Sequence, residues 1–372
     1  MKPLTILHTI ETAGPGGAET VVLNLASRLD SRRFRSIALL PREDWLAERL
    51  RECGVPTLII ESKAWHDFRL PMGMARLIRR EHVDVIHSHL PGQNFYSCAV
   101  GRLAGCKVIA TYHGAIELAQ SEGWRGTIQL GTVRRAANAV VVVCDYVGDM
   151  LRNIGFPAAK IVRIYNGISV DRFQVSGDGR LRRELGLTNG TKIVGTVANL
   201  RQSKGYHFFV QAARKVLDTT PDTRFVAVGD IDAELEKPVR ELIGRLNLQE
   251  RFIFLGFRKD VPELLSELDI FVLPSTSEGF PLVALEAMAA GRPSVLTRCG
   301  GPQEVVDDGV TGYLVPPGDS GALAEKITEL LNRPERAVTF AKNARTKVES
   351  TFTIEKMLHD YEALYERVAG RA

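Results

Sequence analysis

Short β-branched runs alternate with amphipathic helical periods along the whole chain, and this alternation constrains the fold more than any other feature. It starts with an apolar run at 4–10, passes a Gly-rich turn, and enters an amphipathic stretch over 18–29. Parallel neighbours need a crossover of a dozen or more residues, usually a helix, so regular strand–helix alternation predicts doubly wound α/β sheets. Further runs at 36–40, 57–60, 84–87, 108–111 and 139–143 complete one such unit. Beyond Asn166-Gly167 the chain is polar and Gly-rich as far as Asp178-Gly179, which is the composition of an interdomain connection. A second series then follows at 192–198, 224–228, 251–255, 269–273 and 294–297, with a Gly-rich, hairpin-like segment over 307–318.

The expected domains are 1–170 and 171–350, with a helix in 351–372 packed on the body through Ile354, Met357, Leu358, Tyr361, Leu364, Tyr365 and Val368. A chain of 372 residues exceeds what one hydrophobic core usually supports, which agrees with two units. Ligands of open parallel sheets lie off the carboxyl ends of the strands, so two such sheets are expected to face across a cleft.

Composition narrows the function. No apolar run approaches the ~20 residues needed to span a bilayer, and the start of the chain has no signal-peptide pattern, so a cytoplasmic protein is expected. Cys53, Cys98, Cys106, Cys144 and Cys299 are scattered, with no pair at metal-ligand or redox spacing. Residues 1–166 carry 21 basic and 15 acidic side chains, and the remainder 27 and 29. That modest excess lacks aromatic-rich basic stripes, so nucleic acid is not expected as a partner; an anionic substrate or membrane surface is. The stretch 66–80, from His66 to Arg80, combines Phe68, Leu70, Met72, Met74, Leu77 and Ile78 with Arg69, Arg76, Arg79 and Arg80. It reads equally as a basic membrane-facing patch on the inner leaflet and as an ordinary surface helix.

The segment richest in chemistry runs from Ser277 to Ala287, with Glu278 and Glu286 eight positions apart across a loop-to-helix junction. Pro281 fits the first helical position and Gly291 the residue past the end, predicting a helix over 281–290. Between the two carboxylates lie the free N–H groups and positive dipole end of that helix. An anion with hydroxyls on both sides suits the place, as a nucleotide sugar does, and Gly279 allows close backbone approach.

Five motifs in order make the chain resemble glycosyltransferase family 4, the retaining, nucleotide-sugar-dependent enzymes of GT-B fold. They are Glu278-Gly279-Phe280-Pro281 with Glu286, the turn Gly16-Gly17-Ala18-Glu19, Thr111-Tyr112-His113-Gly114, Asn166-Gly167-Ile168 with Asp171-Arg172-Phe173, and Arg201-Gln202-Ser203-Lys204-Gly205. The resemblance implies that Arg201 and Lys204 clamp the departing diphosphate in place of a metal, so no metal or other cofactor is expected. It implies that His113 and Glu278 contact the donor sugar, and that Gly16, Gly17, Asn166, Arg258, Gly279, Phe280, Leu282, Val283 and Glu286 line the donor site. The donor is expected to be a UDP-sugar or GDP-mannose, and the acceptor a glycan or lipid-linked glycan.

Two patterns imitate metal sites. His87-Ser88-His89 places two imidazoles on one face of a strand end but lacks a third ligand at recognisable spacing. Asp230-Ile231-Asp232 resembles an Asp-x-Asp motif but follows Val228-Gly229, at a strand-end glycine loop. Competing functions are a glycoside hydrolase using the two carboxylates, and a non-catalytic nucleotide-sugar-binding protein.

Overall fold

The computed structural model describes residues 2–61, 67–119 and 123–371. The chain forms two units, one of 1–166 with 354–372 and one of 167–353.

In the first unit, seven strands make one parallel sheet: β1 (Leu4–Ile10), β2 (Phe34–Leu40), β3 (Thr57–Ile59), β4 (Val85–His89), β5 (Lys107–Tyr112), β6 (Ala139–Val142) and β7 (Ile161–Arg163). Their spatial order is β3-β2-β1-β4-β5-β6-β7, so the winding direction reverses between β1 and β4. Every residue of β1 and β4 is buried. Strands covered on both faces usually read as continuous apolar runs, but these two also bury His8, His87, Ser88 and His89.

The second unit holds β8 (Lys192–Val197), β9 (Thr223–Val228), β10 (Phe252–Gly256), β11 (Ile270–Leu273), β12 (Ser294–Thr297) and β13 (Tyr313–Val315). The order is β10-β9-β8-β11-β12-β13, again all parallel, with the reversal between β8 and β11. Phe209, Phe225 and Phe252 form the aromatic centre of its core, with ring centroids 5.2–6.3 Å apart.

Three expectations are corrected here. The segment 307–318 is not a hairpin: it closes a short turn through Asp308 and Gly312 and then delivers β13, which pairs in parallel with β12. A further strand, β7, extends the first sheet; three residues are too few to show a period. The helix at the acidic motif spans Leu282–Ala289, with Pro281 as its extended N-cap residue and not its first helical one.

The terminal helix Ile354–Ala369 belongs to the first unit. Its buried Ile354, Met357, Tyr361, Leu364 and Tyr365 recur at helical spacing. At its exposed side Arg33 pairs with Glu362 at 2.8 Å and Glu366 at 2.7 Å.

Candidate active site

In the second unit the winding reversal falls between the two strands that carry the charged motifs. β8 leads into Arg201 and Lys204, and β11 leads into Ser275 and Glu278. Loops at the carboxyl ends of neighbouring strands are brought together at such a switch point, which is where open α/β sheets bind ligands. Lys204 Nζ donates to Glu278 Oε1 at 2.6 Å, and Ser275 Oγ donates to the same oxygen at 2.6 Å. Glu278 is buried, and its Oε2 has no partner among the described residues. A ligand hydroxyl could occupy that oxygen.

Arg201 takes a different position. Its guanidinium donates to Leu200 O at 3.2 Å and lies 3.7 Å from Asp232 Oδ2. Asp232 in turn caps the helix Ala233–Arg245, accepting from Glu234 N at 3.0 Å. Of the Asp-x-Asp pair, the Asp232 carboxylate therefore serves a helix start and an ion pair.

Close backbone packing holds the acidic loop. A Cβ on Gly301 would stand 1.4 Å from Gly279 O, and one on Gly205 2.0 Å from Pro274 O. Glu278 N donates to Cys299 O at 3.2 Å and Gly301 N returns to Glu278 O at 3.3 Å. Phe280 is buried with its ring 5.3 Å from Phe352, so a ligand at this position meets main chain. Leu282 and Val283 open the helix and are half-buried, with Gly291 just past its end.

Glu286 stands in the second turn of that helix. Desolvation pushes its carboxyl up to about 7, with Arg172 pulling the other way. Below pH 4.5, its ordinary value, both folded and unfolded chains keep this proton; between there and about 7 only the unfolded chain releases it. Stability should therefore fall as pH rises through that window and level off above it. Urea unfolding of the wild type should show the decline, and Glu286→Gln should flatten it; an unchanged slope in the variant would refute the assignment.

Arg258 is held by two carboxylates. It grips Asp260 through two bonds of 2.7–2.8 Å and Glu184 through two of 2.8–2.9 Å, so its side chain braces the loop after β10.

In the first unit, His113 follows β5. Its main-chain N–H donates to Glu117 Oε1 at 2.9 Å, and its Nε2 lies 2.9 Å from His89 Nδ1. Burial lowers the His113 imidazole to about 4, so the ring is neutral at physiological pH. Burial also raises the Glu117 carboxyl to about 8. Gly16 caps the helix Gly17–Arg28 with φ −162°, ordinary extended backbone. Its lack of a side chain matters for space instead, since a Cβ there would meet the Glu19 carboxylate at 2.4 Å. Asn166, where the first unit ends, is buried with an unpartnered Oδ1 among the described residues.

A third histidine is present after all: His8 of β1 pairs in register with His87, and one nitrogen from each of His8, His87 and His89 lies within 4.8 Å of the others. His87, however, spends both nitrogens, one on Tyr365 and one on Thr111. Sequence reading missed His8 because the neighbour comes from a strand some eighty residues away. It missed Ser275 as a partner of Glu278, and Glu117, whose only signal is its place one helical turn beyond His113.

A two-unit Rossmann-like fold with a cation, a buried carboxylate and a helix start at a switch point suits a transferase of nucleotide-linked groups. Residues 15–172 match the family description "Glycosyltransferase Family 4", and residues 178–347 match "Glycosyl transferases group 1". The chain is 30% identical to N-acetyl-alpha-D-glucosaminyl L-malate synthase of Bacillus anthracis, over 81% of this chain and 79% of that one. It is 27% identical to the UDP-Gal:alpha-D-GlcNAc-diphosphoundecaprenol alpha-1,3-galactosyltransferase of Escherichia coli, over 87% and 86%. Among solved structures, Anabaena HepE in complex with UDP and glucose superposes with a TM-score of 0.89 at 24% identity, covering 98% of this chain and all of that one. The protein belongs to glycosyltransferase family 4 and has the GT-B fold.

Proposed function

We propose that the protein is a retaining, metal-independent hexosyltransferase that takes a UDP-sugar and passes the hexose to a glycan or lipid-linked acceptor of cell-envelope polysaccharide synthesis. The pairing of Lys204 with Glu278 at the switch point of the second sheet, with Arg201 on the same loop after β8, carries this reading. As the bond from the anomeric carbon to the diphosphate breaks, negative charge grows on the phosphate oxygens. Two cations beside them favour the transition state over the ground state and take the place of a divalent ion. Glu278, already accepting from Lys204 and Ser275, keeps Oε2 for a sugar hydroxyl, and Glu286 accepts from the ribose. A departing phosphate oxygen takes the acceptor's proton on the face it leaves, so no protein base is needed and configuration is kept. Neutral His113 positions the sugar, and its backbone carbonyl supports the developing positive charge. The relatives' names, with a UDP-Gal donor and alpha-linked products, support donor and stereochemistry.

Thermal stabilisation by a panel of UDP- and GDP-sugars identifies the donor, and NMR of the product reads its anomeric configuration. Stabilisation by the UDP-sugars and a retained linkage are expected; an inverted linkage overturns the mechanism, and selective stabilisation by GDP-mannose overturns the donor. Transfer should also continue in EDTA. Complete loss, restored by manganese or magnesium, would refute metal independence.

For the acceptor side, the structure reduces the amphipathic patch. In the helix Arg69–Glu81, Leu70, Met74, Leu77 and Ile78 face the core, leaving Phe68 and Met72 exposed with Arg76, Arg79 and Arg80. His66 lies outside the described residues. A peripheral contact through this face predicts binding to anionic vesicles that weakens with salt and is lost when the three arginines are replaced. No binding by the wild type at low salt would return the helix to an ordinary surface role.

A further inference from the structure

His113 is the outermost member of a buried chain of imidazoles and hydroxyls in the first unit. His8, His87 and His89 are fully buried. From the terminal helix, Tyr365 Oη lies 2.7 Å from His87 Nδ1, and the Tyr361 ring sits 5.2 Å from the His87 ring. His87 Nε2 meets Thr111 Oγ1 at 2.8 Å, so that ring is fixed at both nitrogens. His89 packs on it with centroids 4.2 Å apart, and its Nδ1 faces His113 Nε2 at 2.9 Å, the two rings stacked 5.2 Å apart at 27°. The remaining nitrogen of His89, Nε2, is buried with no partner among the described residues.

Two neutral imidazoles joined by one hydrogen bond share a single bridging proton, and its position decides both tautomers. With the bridging proton on His113 Nε2, neutral His89 must carry its own on Nε2, a buried N–H without an acceptor. With the bridging proton on His89 Nδ1, His89 is left with an unpaired lone pair at Nε2 and no buried N–H without an acceptor. Orphaned buried N–H groups are the rarer of the two defects. His113 then accepts at Nε2 and carries its proton on Nδ1.

We propose that His89 is a positioning residue that holds His113 as its Nδ1–H tautomer and fixes its ring plane, so that His113 presents a hydrogen-bond donor to the sugar. This rests on the reading that His113 acts on the donor sugar, but the tautomer itself does not. Long-range proton–nitrogen correlation on the full chain with labelled histidine reads the tautomer directly. The expected pattern is a protonated Nδ1 and a bare Nε2 at His113; the reverse overturns the proposal without any variant having to fold. His89→Leu should lower kcat by roughly 10- to 100-fold with donor KM nearly unchanged. His89→Asn, whose amide can place an N–H near the former Nδ1, should restore most of the rate. Wild-type kcat in His89→Leu, or equal loss in both variants, overturns the positioning role. If no nucleotide sugar is turned over by the wild type, the proposed function fails, while the nitrogen spectrum still decides the tautomer.

Discussion

Replacing Lys204 with alanine is expected to lower transfer by roughly 10²- to 10³-fold, the usual consequence of removing one preorganised group from developing negative charge. Two effects combine. On the proposed function the diphosphate loses a cation, and Glu278 loses one of the two donors to its Oε1, keeping only Ser275. A buried carboxylate stripped of such a partner costs about 1–3 kcal/mol, so the variant should also unfold earlier. Arg201→Ala should differ: its pair with Asp232 spans 3.7 Å between half-exposed side chains, so stability should stay within about 0.5 kcal/mol while donor binding weakens. The double variant should lose less than the product of the single effects if both act on one diphosphate. Steady-state rates with thermal unfolding separate these outcomes; wild-type turnover in Lys204→Ala would remove the residue from the chemistry.

Gly205→Ala is expected to be the most destabilising small substitution near the site. Its φ of +64° is one that residues with a Cβ resist, and that Cβ would stand 2.0 Å from Pro274 O in the chain that carries Ser275 and Glu278. Strain and overlap together should cost about 2–5 kcal/mol, lowering the melting temperature of the second unit by roughly 5–15 °C. Gly309→Ala is the control, since its φ of +74° is similar but nothing lies within 4 Å of the added carbon. It should cost only about 1 kcal/mol. Equal shifts in the two variants would mean that the close approach at Gly205 relaxes freely.

What could be read from the residues, and what could not, divides by distance along the chain. The alternation of β-branched runs with helical periods is local, and it located eleven of the thirteen strands to within two residues, β7 being missed and the segment leading to β13 misread as a hairpin. The spacing from Glu278 to Glu286 is local too, because a loop residue and a second-turn residue flank a helix start whatever the rest does. The ion pair from Lys204 to Glu278 is not, because it depends on β8 lying beside β11 across 74 residues of sequence. The face of the helix Arg69–Glu81 stayed open for a related reason: its apolar stripe is present in the sequence, but which surface covers it is a tertiary fact. Arg258 shows the limit most plainly, since nothing near it in sequence announces that Glu184 will take up half of its guanidinium.

The return of the terminal helix to the first unit has a consequence for the order in which the protein is made. Synthesis proceeds from the N-terminus and domains generally fold as units while the chain emerges. The second unit, 167–353, is continuous and can finish as soon as it is out. The first unit, begun earlier, must wait for Tyr361 and Tyr365 to cover His87. Until then its sheet lacks the segment that buries the histidine chain, so the half of the molecule translated first is the half completed last.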